Sequence, residues 1–284
     1  GIFAGEGLGL FNGSLAQLNG FGAQGNARVG NGNDRAWINA ANGNLVIQSQ
    51  DDYLAALGLD VVATRTYNSQ GLFDGDNGDN WQLSFYRRLL NLPVGAGTSD
   101  ITRINGDGHR AVFSYDNAAG RWISTDGAGA HDVIFKVGAE WVYEEGTSGR
   151  RETFDADGKI IKESNRDGHG LAFSYSGDLI ATITAFDAGG VSGVGATLVY
   201  SGSQLQEVST TYADDSAVRV RYAYDASGRL TEVRVDLATP DDLTPDAPPQ
   251  TYVTAYEYSG TSNRVVRVTQ SDGSELLLGY VKVG

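Results

Sequence analysis

The chain has 284 residues, a net charge of −14 and no Cys, and these values already exclude several classes of protein. Without Cys there are no disulfides, no thiolate metal sites and no Cys nucleophile, and a strongly acidic chain is a poor partner for nucleic acid or anionic lipid, because binding to either needs a basic surface. No apolar run approaches the length needed to span a bilayer, so we expect neither a nucleic-acid partner nor a membrane span.

Residues 1–33 form a segment rich in Gly and Asn, with scattered Leu and Phe. Gly disfavours helices and weakens strands because it loses more backbone entropy on folding than other residues. We predict an N-terminal arm, either extended along another surface or mobile, as many termini are. The chain also contains no Met, so we expect a processed protein or a piece of a longer polypeptide.

Residues 34–100 are predicted to form a β-rich region that precedes the repeats. Strand-like stretches of β-branched and aromatic residues at 45–47, 61–67 and 81–85 are separated by turn residues. Asn42-Gly43 is a hairpin signal, since both central residues of the tightest hairpin turn need positive φ.

An acidic loop in this region, residues 74–79, is the best candidate for an ion site. Carboxylate and amide oxygens that alternate with Gly can surround Ca²⁺, so Asp74, Asp76, Asn77 and Asp79 are the predicted calcium ligands. An EF-hand is excluded, because the position of its final Glu is occupied by Phe85. The alternative is a solvated turn without a metal, and no other cofactor is expected.

From residue 101 to 284 one sequence unit recurs. It reads aromatic residue, Asp or Ser, two small residues, Gly, Arg or Lys, aliphatic residue, and its best copy is YDASGRL at 224–230. The aromatic residue returns at intervals of roughly 20 to 25 residues, which is typical of a repeat architecture. One longer interval contains a Pro-rich insertion at about 237–250. The aromatic residues that mark the period are Phe154, Tyr175, Tyr200, Tyr224, Tyr258 and Tyr280.

The segments between the turns alternate between apolar and polar residues. Residues 218–224 place Val218, Val220, Tyr222 and Tyr224 on one face, and a period of two is typical of a half-buried strand. Asp-Gly pairs supply the turns. Because a lone hairpin is marginal in water, neighbouring hairpins must stack. We therefore predict an all-β protein whose stacked antiparallel β-hairpin repeats form one long curved sheet.

The sequence contains no recognisable catalytic constellation. His109, His131 and His169 are not paired at metal spacing. Adjacent carboxylates such as Glu144-Glu145 point to opposite faces of a strand and cannot flank one sugar bond. We therefore predict that the protein is not an enzyme, and a polysaccharide hydrolase is kept only as a third alternative.

The repeat unit resembles the tyrosine-aspartate (YD) repeat of the Rhs protein family. The preceding region is similar to the one before Rhs repeats, with Asn-Gly-Asn-Leu at 42–45, Arg-Thr-Tyr-Asn-Ser at 65–69 and Gly-Asp-Asn-Trp at 78–81. The resemblance covers roughly residues 38–284 and implies a β-strip that spirals into a hollow shell, of which this chain would form a part. In bacterial members the shell encloses a toxic C-terminal domain. The family's self-cleavage motif is not matched by residues 240–243, so self-cleavage is not carried over.

The resemblance implies a structural function. We expect a non-enzymatic, exported bacterial scaffold module, secreted or at the cell surface, that encloses or presents a cargo polypeptide such as a toxin domain or contacts the rest of a longer chain. The alternative is a surface adhesin or filament subunit that self-associates by strand addition through its N-terminal arm and binds glycans. The predicted architectural residues are Arg65, Tyr67, Asn68 and Trp81 before the repeats, and Tyr115, Gly120, Phe154, Gly158, Tyr175, Tyr224, Asp225, Gly228, Arg229 and Tyr258 within them.

Overall fold

The computed structural model of the chain describes residues 15–17, 28–29, 34–39, 43–56, 58–71, 77–124, 131–212, 215–236 and 251–281. These residues form strands joined by turns and contain no helix, so the predicted all-β fold class is confirmed. Accordingly, this described part offers no helix that is long and apolar enough to cross a membrane.

The N-terminal third forms a small sheet. Its strands lie in the order β1, β3, β4, β5, β6, and β2 also pairs with β3. Both β1 and β2 come from the predicted arm, so its described residues pair within the same chain, whereas the rest of the arm lies outside the described residues. The strands are β1 (Leu15–Gln17), β2 (Arg28–Val29), β3 (Asp34–Asn39), β4 (Leu45–Leu54), β5 (Val61–Asn68) and β6 (Trp81–Leu83).

A long antiparallel sheet of 17 strands follows, in which each strand pairs with the next in chain order. It begins at Arg88, ahead of residue 101, and no ladder joins its first and last strands in the described part, so the strip stays open. The Pro-rich insertion lies outside the described residues. The strands are β7 (Arg88–Leu90), β8 (Ile101–Ile104), β9 (Arg110–Asp116), β10 (Arg121–Ser124), β11 (Val133–Val137), β12 (Glu140–Glu144), β13 (Arg151–Phe154), β14 (Ile160–Ser164), β15 (Gly170–Ser176), β16 (Leu179–Asp187), β17 (Gly190–Ser201), β18 (Gln204–Tyr212), β19 (Asp215–Tyr224), β20 (Leu230–Asp236), β21 (Thr251–Tyr258), β22 (Val265–Gln270) and β23 (Glu275–Leu277).

The long sheet bends at the repeat aromatics. In five successive hairpins the pairing register shifts at the aromatic residue near the end of the first strand. A β-bulge bends its strand and increases the local twist, so bulges at one repeated position curve the strip in a consistent direction. The residues at these bulges are Phe154, Tyr175, Tyr200, Tyr224 and Tyr258.

The curvature brings the first strand of the long sheet back onto a later hairpin. The backbone N–H of Leu89 donates to the carbonyl of Gly158 at 2.9 Å, and Arg88 forms an isolated bridge with Lys159. Gly158 has a φ of 80°, and an added Cβ would lie 2.1 Å from the Leu89 carbonyl oxygen. This turn therefore needs glycine both for its backbone conformation and for the close approach.

One expectation about the strand faces is wrong. Val218 is only half-buried, and Ala217 is buried in its place. The register between β18 and β19 shifts between Val208 and Ser209, and the extra residue at a bulge reverses the alternation beyond it. Val220 and Tyr222, on the other side of the bulge, are buried as predicted.

Candidate functional site

The repeat motif makes a recurring contact with the aromatic residue of the next motif. The hydroxyl of Tyr258 donates to the carbonyl of Leu230, the aliphatic residue of the preceding motif, at 2.5 Å. The guanidinium of Arg229 from that same motif lies 4.9 Å from the centre of the Tyr258 ring, a favourable cation–π distance. Equivalent contacts join Tyr175 to Ile160 (2.8 Å) and Lys159 (5.5 Å), and Tyr280 to Val265 (3.0 Å) and Arg264 (5.4 Å).

The Asp of the motif shapes the turn. One carboxylate oxygen of Asp225 accepts from the backbone N–H groups of Ser227 (2.8 Å) and Arg229 (3.0 Å), and the other accepts from the Arg229 side chain at 2.7 Å. Burial acts to raise the pKa of Asp225, but these hydrogen bonds outweigh it and lower the pKa. Gly228 completes the turn with a φ of 82°.

Two hairpins lack the cation, and at one of them a tyrosine from outside the repeats occupies the repeat position. The motif after Tyr200 has Gln204 where others have Arg or Lys, and the motif after Tyr175 has Leu179. There the hydroxyl of Tyr86 lies 2.6 Å from the hydroxyl of Tyr200 and accepts from the backbone N–H of Ile180 at 3.2 Å. Tyr86, in the connection between the two sheets, thereby links the connection to the long sheet at a repeat position.

The small sheet is fixed to the long sheet by a buried polar cluster, which we call the anchor cluster: Asp51, Arg65, Trp81, Tyr222 and Tyr256. Arg65 and Asp51 form a two-point ion pair at 2.9 and 3.0 Å. From the long sheet, Tyr222 donates to Asp51 at 2.9 Å and Tyr256 accepts from Arg65 at 2.8 Å. The guanidinium also lies 4.6 Å from the Trp81 ring centre. The ion pair therefore lies within the small sheet, and each of its two charges also contacts a tyrosine hydroxyl of the long sheet.

Trp81 of this cluster and its neighbour Tyr67 also contact repeat positions of the long sheet. The indole N–H of Trp81 donates to the hydroxyl of Tyr258 at 3.0 Å. The hydroxyl of Tyr67 donates to the carbonyl of Asn263 at 2.8 Å and accepts from the backbone N–H of Val265 at 3.1 Å. The small sheet thus contacts the long sheet at a bulge of the long sheet, where backbone groups are available for hydrogen bonds.

A second buried cluster ties the connection to the middle of the long sheet. We call it the glutamate cluster: Arg87, Arg103, Arg150, Glu152 and Glu163. Glu152 is fully buried and accepts from Arg87 at 2.7 Å and from Arg103 at 2.8 and 2.9 Å. Glu163 accepts from Arg87 at 2.5 Å and from Arg150 at 2.9 Å.

The arginines hold Glu152 in its charged form. Burial alone would raise the pKa of this carboxyl, but the positive charges of Arg103, Arg87 and Arg150 lower it from 4.5 to about 2. Glu152 therefore stays ionised through the neutral and mildly acidic range. Such a carboxylate acts as a structural counter-ion.

Of the residues predicted before the repeats, three meet the long sheet in or beside the anchor cluster: Arg65, Tyr67 and Trp81. Asn68 lies elsewhere, where its side-chain amide donates to the carbonyl of Asp107 at 3.0 Å and accepts from Asn44 at 2.9 Å. It therefore ties the small sheet to the turn between β8 and β9.

The earliest repeat residues have packing and turn roles. The ring of Tyr115 meets Trp122 edge-on at 4.7 Å between ring centres, and Gly120 has a φ of 63° in the turn between them. Phe154 is fully buried.

Sequence reasoning missed Asp51, Tyr86, Arg87, Glu152 and Glu163. A signal was available for Glu152, because it shares a strand face with Phe154, and a carboxylate on an apolar face requires a buried partner. The sequence did not predict the identity of that partner, because Arg87 lies in the connection between the sheets and Arg103 lies in the distant strand β8.

The predicted calcium ligands are only partly visible. Asp74 and Asp76 lie outside the described residues. The side-chain oxygen of Asn77 accepts from the backbone N–H of Asp79 at 3.0 Å, and Asp79 accepts from that of Trp81 at 2.9 Å. Among the residues that the structure describes, no group of three or more His, Cys, Asp or Glu side chains could hold a metal. Calcium binding by the loop stays a prediction.

Comparison with known protein families gives one match. A family model described as a domain of unknown function (DUF6531) matches residues 36–113, which run from β3 into β9. The match contains Arg65, Tyr67, Trp81 and Arg87 and ends before most of the long sheet. No curated protein matches the chain.

Beside the anchor cluster, Asp52 carries a poorly compensated charge. One of its carboxylate oxygens is buried without a hydrogen bond among the described residues, and the other lies 3.8 Å from Arg219. Burial raises the pKa of Asp52, and the charge of Asp51 acts in the same direction. Because the pKa of Asp52 is higher in the folded state than in the unfolded state, Asp52 contributes to stability at low pH. This contribution is lost as the pH rises through the folded-state pKa.

We expect Asp52→Asn to stabilise the protein at about pH 7 by about 0.5–1 kcal/mol, because the amide removes the buried charge. The gain should be smaller at about pH 4, because a raised pKa favours the neutral form of Asp52 as the pH falls. Urea unfolding of both proteins at the two pH values measures this difference. Lower stability of the variant at neutral pH would contradict the assignment.

Proposed function

We propose that the chain is a non-enzymatic structural module of the Rhs, YD-repeat type. In this proposal the long sheet is part of a shell wall that encloses or presents a cargo polypeptide, such as a toxin domain, and the small sheet covers its inner face. The observation that carries the proposal is the repeated link between hairpins, in which the cation and the aliphatic residue of one motif hold the next tyrosine. We further propose that the protein is exported by a bacterium.

The space between the two sheets supports a structural function. A cavity of about 480 Å³ lies there, lined by Thr64, Arg87, Asn105, Arg150 and Glu163 among others. Three of the charged groups that line it are ion-paired with one another, since Glu163 accepts from both Arg87 and Arg150. A general acid or base needs a proton that it can exchange at working pH, which ion-paired arginine and glutamate side chains do not provide.

Limited proteolysis of the complete gene product tests the shell proposal. We expect further repeats and a C-terminal domain in the gene, and we expect that domain to resist protease until denaturant opens the wall. The isolated C-terminal domain, treated in parallel, is the control and should be cut at its own intrinsic rate. A gene without further repeats, or a C-terminal domain that is cut equally fast in both forms, would argue against a shell.

The filament alternative rests on the N-terminal arm. The described parts of the arm, β1 and β2, pair with β3 of the same chain, so an arm that acts in another subunit would have to use other residues or exchange these strands. Negative-stain microscopy separates the two functions. Fibres that grow with concentration and disappear on deletion of residues 1–33 would favour the filament.

A further inference from the structure

An exposed pocket on the long sheet collects positive charge in an otherwise acidic protein. It lies between the turn that joins β12 to β13 and the turn that joins β14 to β15, and its volume is about 480 Å³. Two arginines and one glutamate line it, so its local charge is positive although the chain carries −14. The lining residues are Glu144, Gly149, Arg151, Ser164, Asn165, Arg166 and Gly168.

Arg166 packs against the backbone of this pocket, and no described residue accepts a hydrogen bond from its guanidinium. Its guanidinium lies directly on Gly149, where an added Cβ would come within 2.0 Å of Nε. Gly149 has a φ of 68°, and its N–H donates to the carbonyl of Glu145 at 2.7 Å, so the turn beneath the guanidinium is well defined. Arg166 has no hydrogen-bond or ion-pair partner within the described ranges.

Arg151 supplies a second guanidinium. Its Nε donates to a Glu144 carboxylate oxygen at 2.7 Å, and its side chain is 57% exposed. A single carboxylate contact leaves the other N–H groups of a guanidinium available. The hydroxyl of Ser164, on the strand that pairs with β13, adds a neutral donor to the same pocket.

We propose that this pocket binds an oxyanion group, a carboxylate or a phosphate, carried by a small acidic ligand. Arg166 and Arg151 would donate to its oxygens from two sides, because guanidinium N–H groups match the geometry of carboxylates and phosphates. Glu144 competes with the ligand for Arg151. The ligand's affinity is therefore limited by the charge that already occupies part of the site.

Four proteins test the proposal by titration with inorganic phosphate and, separately, with glucuronate. They are the wild type and the variants Arg166→Gln, Arg121→Gln and Glu144→Gln. Arg121 is an exposed arginine in β10, so its variant removes the same charge elsewhere on the surface. An ionic strength of about 0.15 M limits the influence of distant charges to a screening length of about 8 Å.

We expect saturable binding of at least one probe to the wild type, monitored by NMR shifts and by the rise in melting temperature. Arg166→Gln should weaken that binding about tenfold, because a charge-assisted hydrogen bond is lost. Arg121→Gln should bind like the wild type, and Glu144→Gln should bind more tightly. Preference for glucuronate would indicate a carboxylate ligand, and preference for phosphate a phosphorylated one.

Two results would overturn the proposal. The first is the lack of saturable binding of either probe to the wild type. The second is equal affinity of the Arg166→Gln and Arg121→Gln variants, which would mean that only net charge matters. Circular dichroism and melting without anion verify that each variant is folded, so that lost binding is assigned to the pocket.

Discussion

Replacement of Glu152 by Gln is expected to lower the free energy of unfolding by about 3–5 kcal/mol. The reason is that Arg103, which is buried, would lose the carboxylate that accepts from it at two points, whereas Arg87 would keep Glu163. An arginine cannot escape by losing its proton in a protein, so the uncompensated charge of Arg103 remains buried. Urea unfolding followed by tryptophan fluorescence measures the loss.

The pH dependence of unfolding gives a second measurement of the same group. Since the pKa of Glu152 is lowered from 4.5 to about 2, its contribution is fully present above 4.5 and is lost as the pH falls towards 2. The wild type should therefore lose more stability than Glu152→Gln across that range.

The matched control is Glu257→Gln, which removes an exposed carboxylate that pairs with Arg267 at 3.3 Å. An exposed pair contributes little, so a change of less than about 1 kcal/mol is expected. Equal effects of the two Glu→Gln changes would show that the glutamate cluster does not tie the connection to the long sheet.

Replacement of Arg65 by Met is the second large change, with an expected loss of about 3–5 kcal/mol. The methionine side chain still fills space beside Trp81, but Asp51 would keep a buried charge with only the Tyr222 hydroxyl to stabilise it. We further expect the contact between the two sheets to loosen before the whole protein unfolds. Hydrogen exchange should therefore rise first in β5 and at Val265, whose N–H donates to Tyr67.

Arg65→Lys separates charge from geometry in this cluster. Lys keeps the positive charge but lacks the planar guanidinium group. In the wild type this group donates to Asp51 at two points and to Tyr256 at a third. It should lie between the wild type and Arg65→Met in stability. If Lys restored full stability, charge alone would account for the anchor cluster and the two-point geometry would be irrelevant.

These two clusters have a common consequence for the proposed function. The anchor cluster joins the small sheet to the long sheet through tyrosine hydroxyls and aromatic rings. The glutamate cluster joins the connection that follows the small sheet to the long sheet through ion pairs. Buried ion pairs add little net stability over apolar packing but penalise any arrangement that leaves one charge unpaired. They therefore favour one docked position of the small sheet over others.

The sequence by itself determined the repeats, the turns and the fold class. Asp225, Gly228 and Asp-Gly pairs such as Asp107-Gly108 act within a few residues of chain, and strand alternation is equally local, so both are readable without a structure. The resemblance to the Rhs family singled out Arg65, Tyr67 and Trp81. It did not predict which residues they contact.

Only the tertiary structure decided those contacts. Arg65 bonds to Tyr256 and Tyr222 to Asp51 across most of the length of the chain, and Glu152 meets Arg87 and Arg103 from the connection and from β8. Bulges in successive hairpins bend the strip between Glu152 and Tyr256, whereas the described ladders from β7 to β13 show no register shift. A local pattern predicts that a strand has a buried face, but the residue that covers this face depends on the summed bending of the sheet.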